Sequence, residues 1–131
     1  MDSDSIRAQL MVKPNTKVSL FHARKDVLPH FMTGDLNLML DWAENECDSV
    51  IFWKQAQDDL CDIAAHLEQQ IKLTGRIWLV LSGASKVDIE HIQQEITEYT
   101  NLWAGKVIAI GDDEKALQFV RRKSAMEDQN I

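Results

Sequence analysis

The segment RIWLVL, residues 76–81, is the most hydrophobic run of the chain. After its first residue no polar side chain interrupts it, which is typical of a strand covered on both faces of a sheet. Residues 49–53, SVIFW, form a second run rich in β-branched and aromatic side chains. The two runs predict buried strands, with 76–81 at the centre of the sheet and Trp53 and Trp78 in the core.

Three further strands are predicted on either side of these two. Residues 17–22, KVSLFH, follow a turn signal, KPNT. Residues 107–110 and 117–120 are short apolar runs, and only the six residues 111–116 connect them. A link of this length cannot hold a crossover helix, so the last strand should be antiparallel.

Apolar residues that recur three and four positions apart predict helices between the strands. Asp35 stands where a side-chain oxygen accepts the first amide hydrogens of a helix. Ser85 and Asp88 have the spacing of a capping box at another helix start. The predicted helical segments are residues 35–46, 60–74 and 85–101.

The alternation of strands with helices predicts an α/β fold with five strands and three helices. We expect a Rossmann-like three-layer sandwich with a mostly parallel sheet and an antiparallel last strand. A length of 131 residues fits a single domain. We place that domain at 1–123 and expect the polar tail, 124–131, to be disordered.

The composition argues against several classes of partner. The formal net charge is −7, so we do not expect a nucleic acid to bind. No apolar run reaches the roughly 20 residues of a membrane-spanning helix, and the opening MDSDS lacks the basic and apolar regions of a signal peptide. We therefore predict a cytoplasmic protein that does not bind membranes, in which Cys47 and Cys61 stay reduced.

Three short motifs resemble those of the bacterial domain-of-unknown-function family 3052. They are KPNTKV at 13–18, TGRIWLV at 74–80 and EKALQFVRRK at 114–123. The chain departs from the family pattern at Asn15, where the family has glycine, and in the segment 36–45, which looks longer and more helical.

The layout of that family in turn looks like a pared-down methyltransferase frame of the Rossmann-like kind. This resemblance implies the sheet order first, second, third, fifth, fourth for the five predicted strands, with the fifth antiparallel. A shared frame does not by itself carry a function.

The turn after the first predicted strand decides whether a cofactor is expected. A nucleoside or methyl-donor site needs glycines there, because the backbone must approach the ligand closely. The chain instead has His22, Ala23, Arg24 and Lys25. We therefore predict that no cofactor is bound, and that the frame is kept while the site is lost.

A ligand hypothesis is the alternative. Ligands of open α/β sheets bind beyond the carboxyl ends of the strands, and several polar residues follow predicted strands. An anionic or adenosine-type ligand could bind to His22, Arg24, Lys25, Ser82, Ser85 and Asp112. The competing interpretation of the first loop is a solvated segment whose charges contribute to solubility.

No metal site and no catalytic residue are predicted. Asp62 and His66 are four residues apart on one predicted helix, and His91 and Glu95 repeat this spacing on another. Each pair shares a helix face, but two ligands do not make a metal site. The turn 82–85 lacks the G-x-S-x-G elbow of a hydrolase serine.

An apolar patch on the first predicted helix suggests a surface for a partner. Leu38 and Trp42 are one turn apart and away from the main apolar stripe. A helix that is apolar on more than one face needs a second covering surface. We therefore predict a non-enzymatic or vestigial domain that acts through protein–protein association, as a homodimer or with another protein. The alternative is a small-ligand-binding protein or enzyme that uses the carboxyl edge of the sheet.

Overall fold

The computed structural model describes residues 3–23, 25–39, 47–55, 59–110 and 113–121. Its helices are α1 Ser3–Gln9, α2 Leu60–Glu68 and α3 Lys86–Tyr99, with a 3₁₀ helix at Leu28–His30. Its strands are β1 Lys17–Phe21, β2 Asn37–Met39, β3 Cys47–Trp53, β4 Ile71–Ser82, β5 Leu102–Ala109 and β6 Glu114–Arg121. The predicted tail, 124–131, lies outside the described residues.

The six strands form one sheet in the order β2-β1-β3-β4-β6-β5. The first four in this order pair in parallel, whereas β6 pairs antiparallel with both β4 and β5. The predicted α/β class, the mostly parallel sheet and the antiparallel last strand are confirmed. The order of the five predicted strands is confirmed as well, but β2 adds a sixth strand at one edge.

Apolar side chains fill both faces of the sheet. One core cluster lies on the side of α2 and α3 and includes Ala64 and Ile96. The other lies on the opposite side and includes Ile6 of α1. The strands β3 and β4 contribute to both clusters, and Trp53 and Trp78 are buried as predicted.

The helix α1 is not predicted by any sequence pattern. Ile6 and Leu10 are buried, and Trp78 Nε1 donates a hydrogen bond to the Leu10 carbonyl at 2.9 Å. A helix of seven residues is too short to be stable alone. The helix α1 is therefore stabilised by its contacts with the sheet. Such contacts between distant residues leave no local pattern in the sequence.

The prediction of a helix at 35–46 is wrong where the structure describes that segment. Asn37–Met39 is the strand β2, which pairs in parallel with β1. Leu38 packs against one core cluster and Met39 against the other, which is the alternation of faces of a strand. The apolar spacing of this short segment fits the period of a helix as well as that of a strand. Residues 40–46, including Trp42, lie outside the described residues.

Several element boundaries also differ from the predictions. The helix α2 ends at Glu68 and β4 starts at Ile71, several residues before the predicted start of that strand. Ile71 pairs with Cys47 of β3, so strand pairing overrides the helical spacing that reaches Ile71. The strand β5 starts early as well, at Leu102, because its first residues pair with the end of β6.

The two longer helices begin with side-chain caps. The carboxylate of Asp59 accepts hydrogen bonds from the amides of Cys61 and Asp62 at the start of α2. At the start of α3, Ser85 and Asp88 form the predicted capping box. The starts of α2 and α3 are therefore fixed by capping side chains that lie directly before or within the first helical turn.

None of the helices in the described part of the chain has the length and apolar character needed to cross a bilayer. Cys47 and Cys61 are both thiols, the first buried and the second half-buried.

Candidate ligand site at the carboxyl edge

The parallel strands of the sheet end at one common edge. β1 ends at Phe21, β3 at Trp53 and β4 at Ser82, and α2 and α3 follow β3 and β4 directly in the chain. Ligands of open α/β sheets bind outside the carboxyl ends of the strands. This edge is therefore where a ligand site is expected.

A cleft of about 480 Å³ opens at the ends of β3 and β4 beside the first turns of α3. Its volume lies within the range of small-molecule sites. We call it the edge cleft. Polar side chains of Lys54, Gln55, Ser82, Asp88 and His91 line it, together with the apolar side chains of Leu81, Ala84 and Ile92.

The turn after β4 forms one side of the edge cleft. Gly83 has φ +67, a left-handed conformation that glycine adopts without steric strain. Its amide donates a hydrogen bond to the Asp113 carbonyl at 2.9 Å. The turn is thereby tied to the start of β6, and Ser82 is held at the mouth of the cleft.

The helix α3 contributes an imidazole and a carboxylate to the edge cleft. His91 Nε2 contacts the carboxylate of Glu95 one turn further along the helix. The Ser85 amide donates a hydrogen bond to Asp88 Oδ2 at 3.1 Å. This bond, together with the smaller effects of the Ser85 side chain and of His91, lowers the pKa of Asp88. Asp88 is therefore a carboxylate at neutral pH.

Lys54 provides the ammonium group of the edge cleft. It follows β3 directly, and its amide donates to the Val80 carbonyl at 3.0 Å. Its Nζ donates to the Gln55 carbonyl at 3.1 Å. The backbone of Lys54 is thus fixed against β4, and its Nζ is bonded to Gln55, which also lines the cleft.

A second, smaller cavity of about 260 Å³ shares Lys54 and Ile92 with the edge cleft and reaches Cys61. Burial raises the pKa of the Cys61 thiol, and the carboxylates of Glu95 and Asp59 raise it further. A protonated thiol is a weak nucleophile. Cys61 therefore shapes the cavity wall and is not a candidate nucleophile.

Of the residues predicted to bind a ligand, Ser82 lines the edge cleft. Ser85 stands beside it as the cap of α3, and its hydroxyl accepts a hydrogen bond from the Asp88 amide at 3.1 Å. His22 and Lys25 are exposed near the end of β1, one strand away from the cleft. Arg24 and Asp112 lie outside the described residues.

Sequence reasoning did not identify Lys54, Asp88 and His91 as residues of a site. Lys54 could have been found, because it directly follows a predicted parallel strand. Asp88 and His91 were noted only for the cap and for the spacing to Glu95. Which side of α3 borders the cleft depends on how the helix packs, so no local pattern gives it.

The structure places Leu38, a predicted interface residue, and the predicted metal candidates Asp62 and His66. Leu38 is half-buried in β2 and packs against the core. The His66 ring Nδ1 lies 2.8 Å from the Asp62 carbonyl and 4.0 Å from its carboxylate. Within the described ranges, no three His, Cys, Asp or Glu side chains are grouped so that they could hold a metal ion.

At the end of β1, one strand away from the edge cleft, two rings lie against Phe52 of β3. The His22 ring meets Phe52 edge-on, with centroids 5.2 Å apart and an interplanar angle of 87°. The Phe21 ring lies 5.9 Å from Phe52. His22 has φ +60, the left-handed conformation that glycine favours. The turn after β1 therefore has a glycine-like backbone conformation but carries a bulky side chain.

No protein-family model matches the sequence, and no curated protein matches it either. Solved structures do share the fold. One is a TehB-like SAM-dependent methyltransferase from Corynebacterium glutamicum, with a TM-score of 0.58 and 8% identity over 93% of this chain and 89% of that one. Another is a SAM-dependent methyltransferase from Aquifex aeolicus, with a TM-score of 0.60 and 8% identity over 90% and 88% of the two chains.

A third similar structure is a Haloferax volcanii protein solved in complex with the methyltransferase activator Trm112. Its TM-score is 0.62 and its identity 10%, over 92% of this chain and 90% of that one. A protein with this frame thus has a protein partner in that complex. The chain described here has a Rossmann-like fold of the SAM-dependent methyltransferase type.

These similar structures contradict the prediction of a non-enzymatic or vestigial domain acting through association, and the expectation that the protein is not an enzyme. The frame of this chain is the one that SAM-dependent methyltransferases have. The alternative, a ligand-binding protein or enzyme using the carboxyl edge, fits the findings better. The turn without glycine bears only on a cofactor beside β1, whereas the edge cleft lies one strand away from that turn.

Proposed function

We propose that the chain is a small-molecule enzyme of the methyltransferase-like α/β class, with its substrate in the edge cleft. The observation that carries this proposal is the edge cleft itself, in which Lys54, Ser82 and His91 line one cavity. A concave site with a few convergent polar groups is the usual form of a small-molecule site.

Lys54 indicates the chemical class of the substrate. A carboxylate or phosphate group would pair with its ammonium group through charge-assisted hydrogen bonds. Asp88 and Glu95 repel an anion from the α3 side of the cleft. The anionic end of the substrate is therefore expected near Lys54, and an uncharged hydroxyl or amine near His91.

His91 is the candidate general base. Its Nε2 faces the Glu95 carboxylate, so the Nε2–H donates there and Nδ1 keeps the lone pair that accepts a proton. A substrate hydroxyl or amine would lose its proton to Nδ1, and Glu95 would stabilise the resulting imidazolium. Such a step makes the substrate oxygen or nitrogen nucleophilic.

The test is a thermal-shift screen against small carboxylic acids and phosphorylated metabolites. A ligand that binds only the native state raises the melting temperature by mass action. We expect a saturable shift that is lost in Lys54→Met and weakened in His91→Ala. His66→Ala is the matched control, because His66 is also an exposed helical histidine next to an acidic residue but lies outside the edge cleft.

The proposal fails if no compound of the panel shifts the melting temperature, or if Lys54→Met retains the full shift. Membership of the bacterial family 3052, the cytoplasmic location, the homodimer and the absence of a nucleic-acid partner stay predictions. Size-exclusion chromatography with light scattering over a range of concentrations would test the homodimer.

A further inference from the structure

The sheet has a switch point between β1 and β3. The chain passes from β1 to β2 on one side and then returns to β3 on the other side of β1. In open α/β sheets, nucleotide-sized ligands bind in the crevice that such a reversal leaves at the carboxyl edge. We call the space beyond Phe21 and Phe52 the switch crevice.

The turn that borders the switch crevice lacks the glycine that a nucleoside site needs. Glycine in this turn lets the backbone approach the ligand closely. Among the described residues of the turn, 22–23 and 25, there is no glycine. His22 instead has φ +60 and turns its ring edge-on to Phe52.

The contact with Phe52 holds the His22 ring at the border of the switch crevice. Phe52 is only 5% exposed and also contacts Phe21, so it is a fixed surface for the imidazole. Phe21 and Phe52 are paired across β1 and β3. His22 follows Phe21 directly, so its ring, held edge-on against Phe52, lies at the carboxyl ends of these two paired strands. This is the edge at which the ligands of open α/β sheets bind.

The similar solved structures are named for their methyl donor, SAM, but the described residues of the switch crevice do not fit an adenosyl group. We infer that His22 is a specificity-determining residue that closes the switch crevice to adenosyl compounds. The chain then takes its ligand in the edge cleft on the other side of β3. This inference stands apart from the proposed function, because it concerns a different crevice and a different ligand.

The experiment is calorimetric titration of S-adenosylmethionine and S-adenosylhomocysteine into wild type, His22→Gly and His22→Ala. Glycine suits φ +60 better than histidine, so His22→Gly should fold while it removes the ring and the Cβ. His22→Ala removes the ring alone. Asn15→Gly is the matched control, because Asn15 also has a positive φ, +64, but lies ahead of β1 at the opposite end of the strand.

We expect no saturable binding to wild type or to Asn15→Gly. His22→Gly should bind S-adenosylhomocysteine saturably at concentrations at least about tenfold below the highest at which wild type shows no binding, and His22→Ala should bind with intermediate affinity. Circular dichroism melts verify the fold of each variant, and His22→Ala decides the outcome if His22→Gly does not fold.

The inference is overturned if wild type binds either adenosyl compound saturably, or if neither variant of His22 binds more tightly than wild type. Failure of the proposed function would look different, since it concerns small acids and the Lys54 and His91 variants. The two results are therefore distinguishable.

Discussion

Arg7 of α1 holds Asp35, just before β2, through two parallel hydrogen bonds. Arg7 Nη2 lies 2.8 Å from Asp35 Oδ2, and Nη1 lies 3.1 Å from Oδ1. The hydroxyl of Thr33 also donates to Asp35. This cluster joins the first helix to the segment that leads into the edge strand, although the two are 28 residues apart in the chain.

The Arg7–Asp35 pair should make stability depend on acid pH. The hydrogen bond from Arg7, followed by that from Thr33, lowers the pKa of Asp35 from 3.8 to about 2. A depressed folded-state pKa contributes stability above the unfolded pKa, which is lost as pH falls toward the folded value. We expect urea midpoints to fall between pH 4 and pH 2. That acid-dependent part should be absent in Asp35→Asn and unchanged in Glu90→Gln, an exposed carboxylate of α3.

Neighbouring atoms lie so close to Gly75 that the position has no room for a side chain. Its backbone angle does not require a glycine. A Cβ at this position would lie 2.8 Å from the Cys47 carbonyl oxygen and 2.9 Å from Ile71 Cβ. Because the first contact is with backbone, we expect Gly75→Ala to lower the free energy of unfolding by about 1–3 kcal/mol. Urea denaturation measures it. Thr74→Ala, at the exposed neighbouring position, should stay within about 0.5 kcal/mol of wild type.

The indole of Trp78 links the sheet centre to the end of α1. Its Nε1 donates to the Leu10 carbonyl at 2.9 Å, and the residue is fully buried. Trp78→Phe would leave that carbonyl without its donor and open a small void, at a loss of about 2–4 kcal/mol of unfolding free energy. Trp103→Phe is the control, because Trp103 is 51% exposed. Equal losses in the two variants would show that the hydrogen bond to Leu10 is unimportant.

The capping box of α3 links helix stability to the charge of the edge cleft. Ser85→Ala removes the hydroxyl that accepts from the Asp88 amide, which should lower stability by about 1 kcal/mol. Since the Ser85 side chain also contributes to the lowered pKa of Asp88, that pKa should rise toward its usual range. An NMR titration of the Asp88 carboxyl follows the change. Ser85→Thr should restore both properties, and a Ser85→Ala variant with an unshifted pKa would contradict the role given to the hydroxyl.

Much of the fold could be predicted from the sequence because local signals and tertiary pairing agree there. The run from Ile77 to Leu81 is buried on both faces of the sheet, and the capping box at Ser85 forms as predicted. Where the local signal and the strand pairing disagree, the strand pairing determines the secondary structure. The segment around Leu38 became a strand because β1 was available to pair with it.

The candidate site was only partly predictable for a related reason. Ser82 was found because residues after parallel strands collect at one edge of the sheet. His91 and Asp88 lie on a helix whose rotation about its axis is set by packing, and the sequence does not show which of its polar residues border the edge cleft. The ring contact between His22, just after β1, and Phe52 of β3 joins distant parts of the sequence, and no local pattern signals it.

The central claim is that the edge cleft binds the substrate, and amide chemical-shift mapping by ¹⁵N NMR tests it most directly. The titrant is the small acid or phosphorylated metabolite that gives the largest thermal shift. We predict that saturable shifts concentrate at residues 54–55, 82–84, 88 and 91, which border the edge cleft. Shifts that concentrate elsewhere on the sheet, or no saturable shift with any compound of the panel, would contradict it.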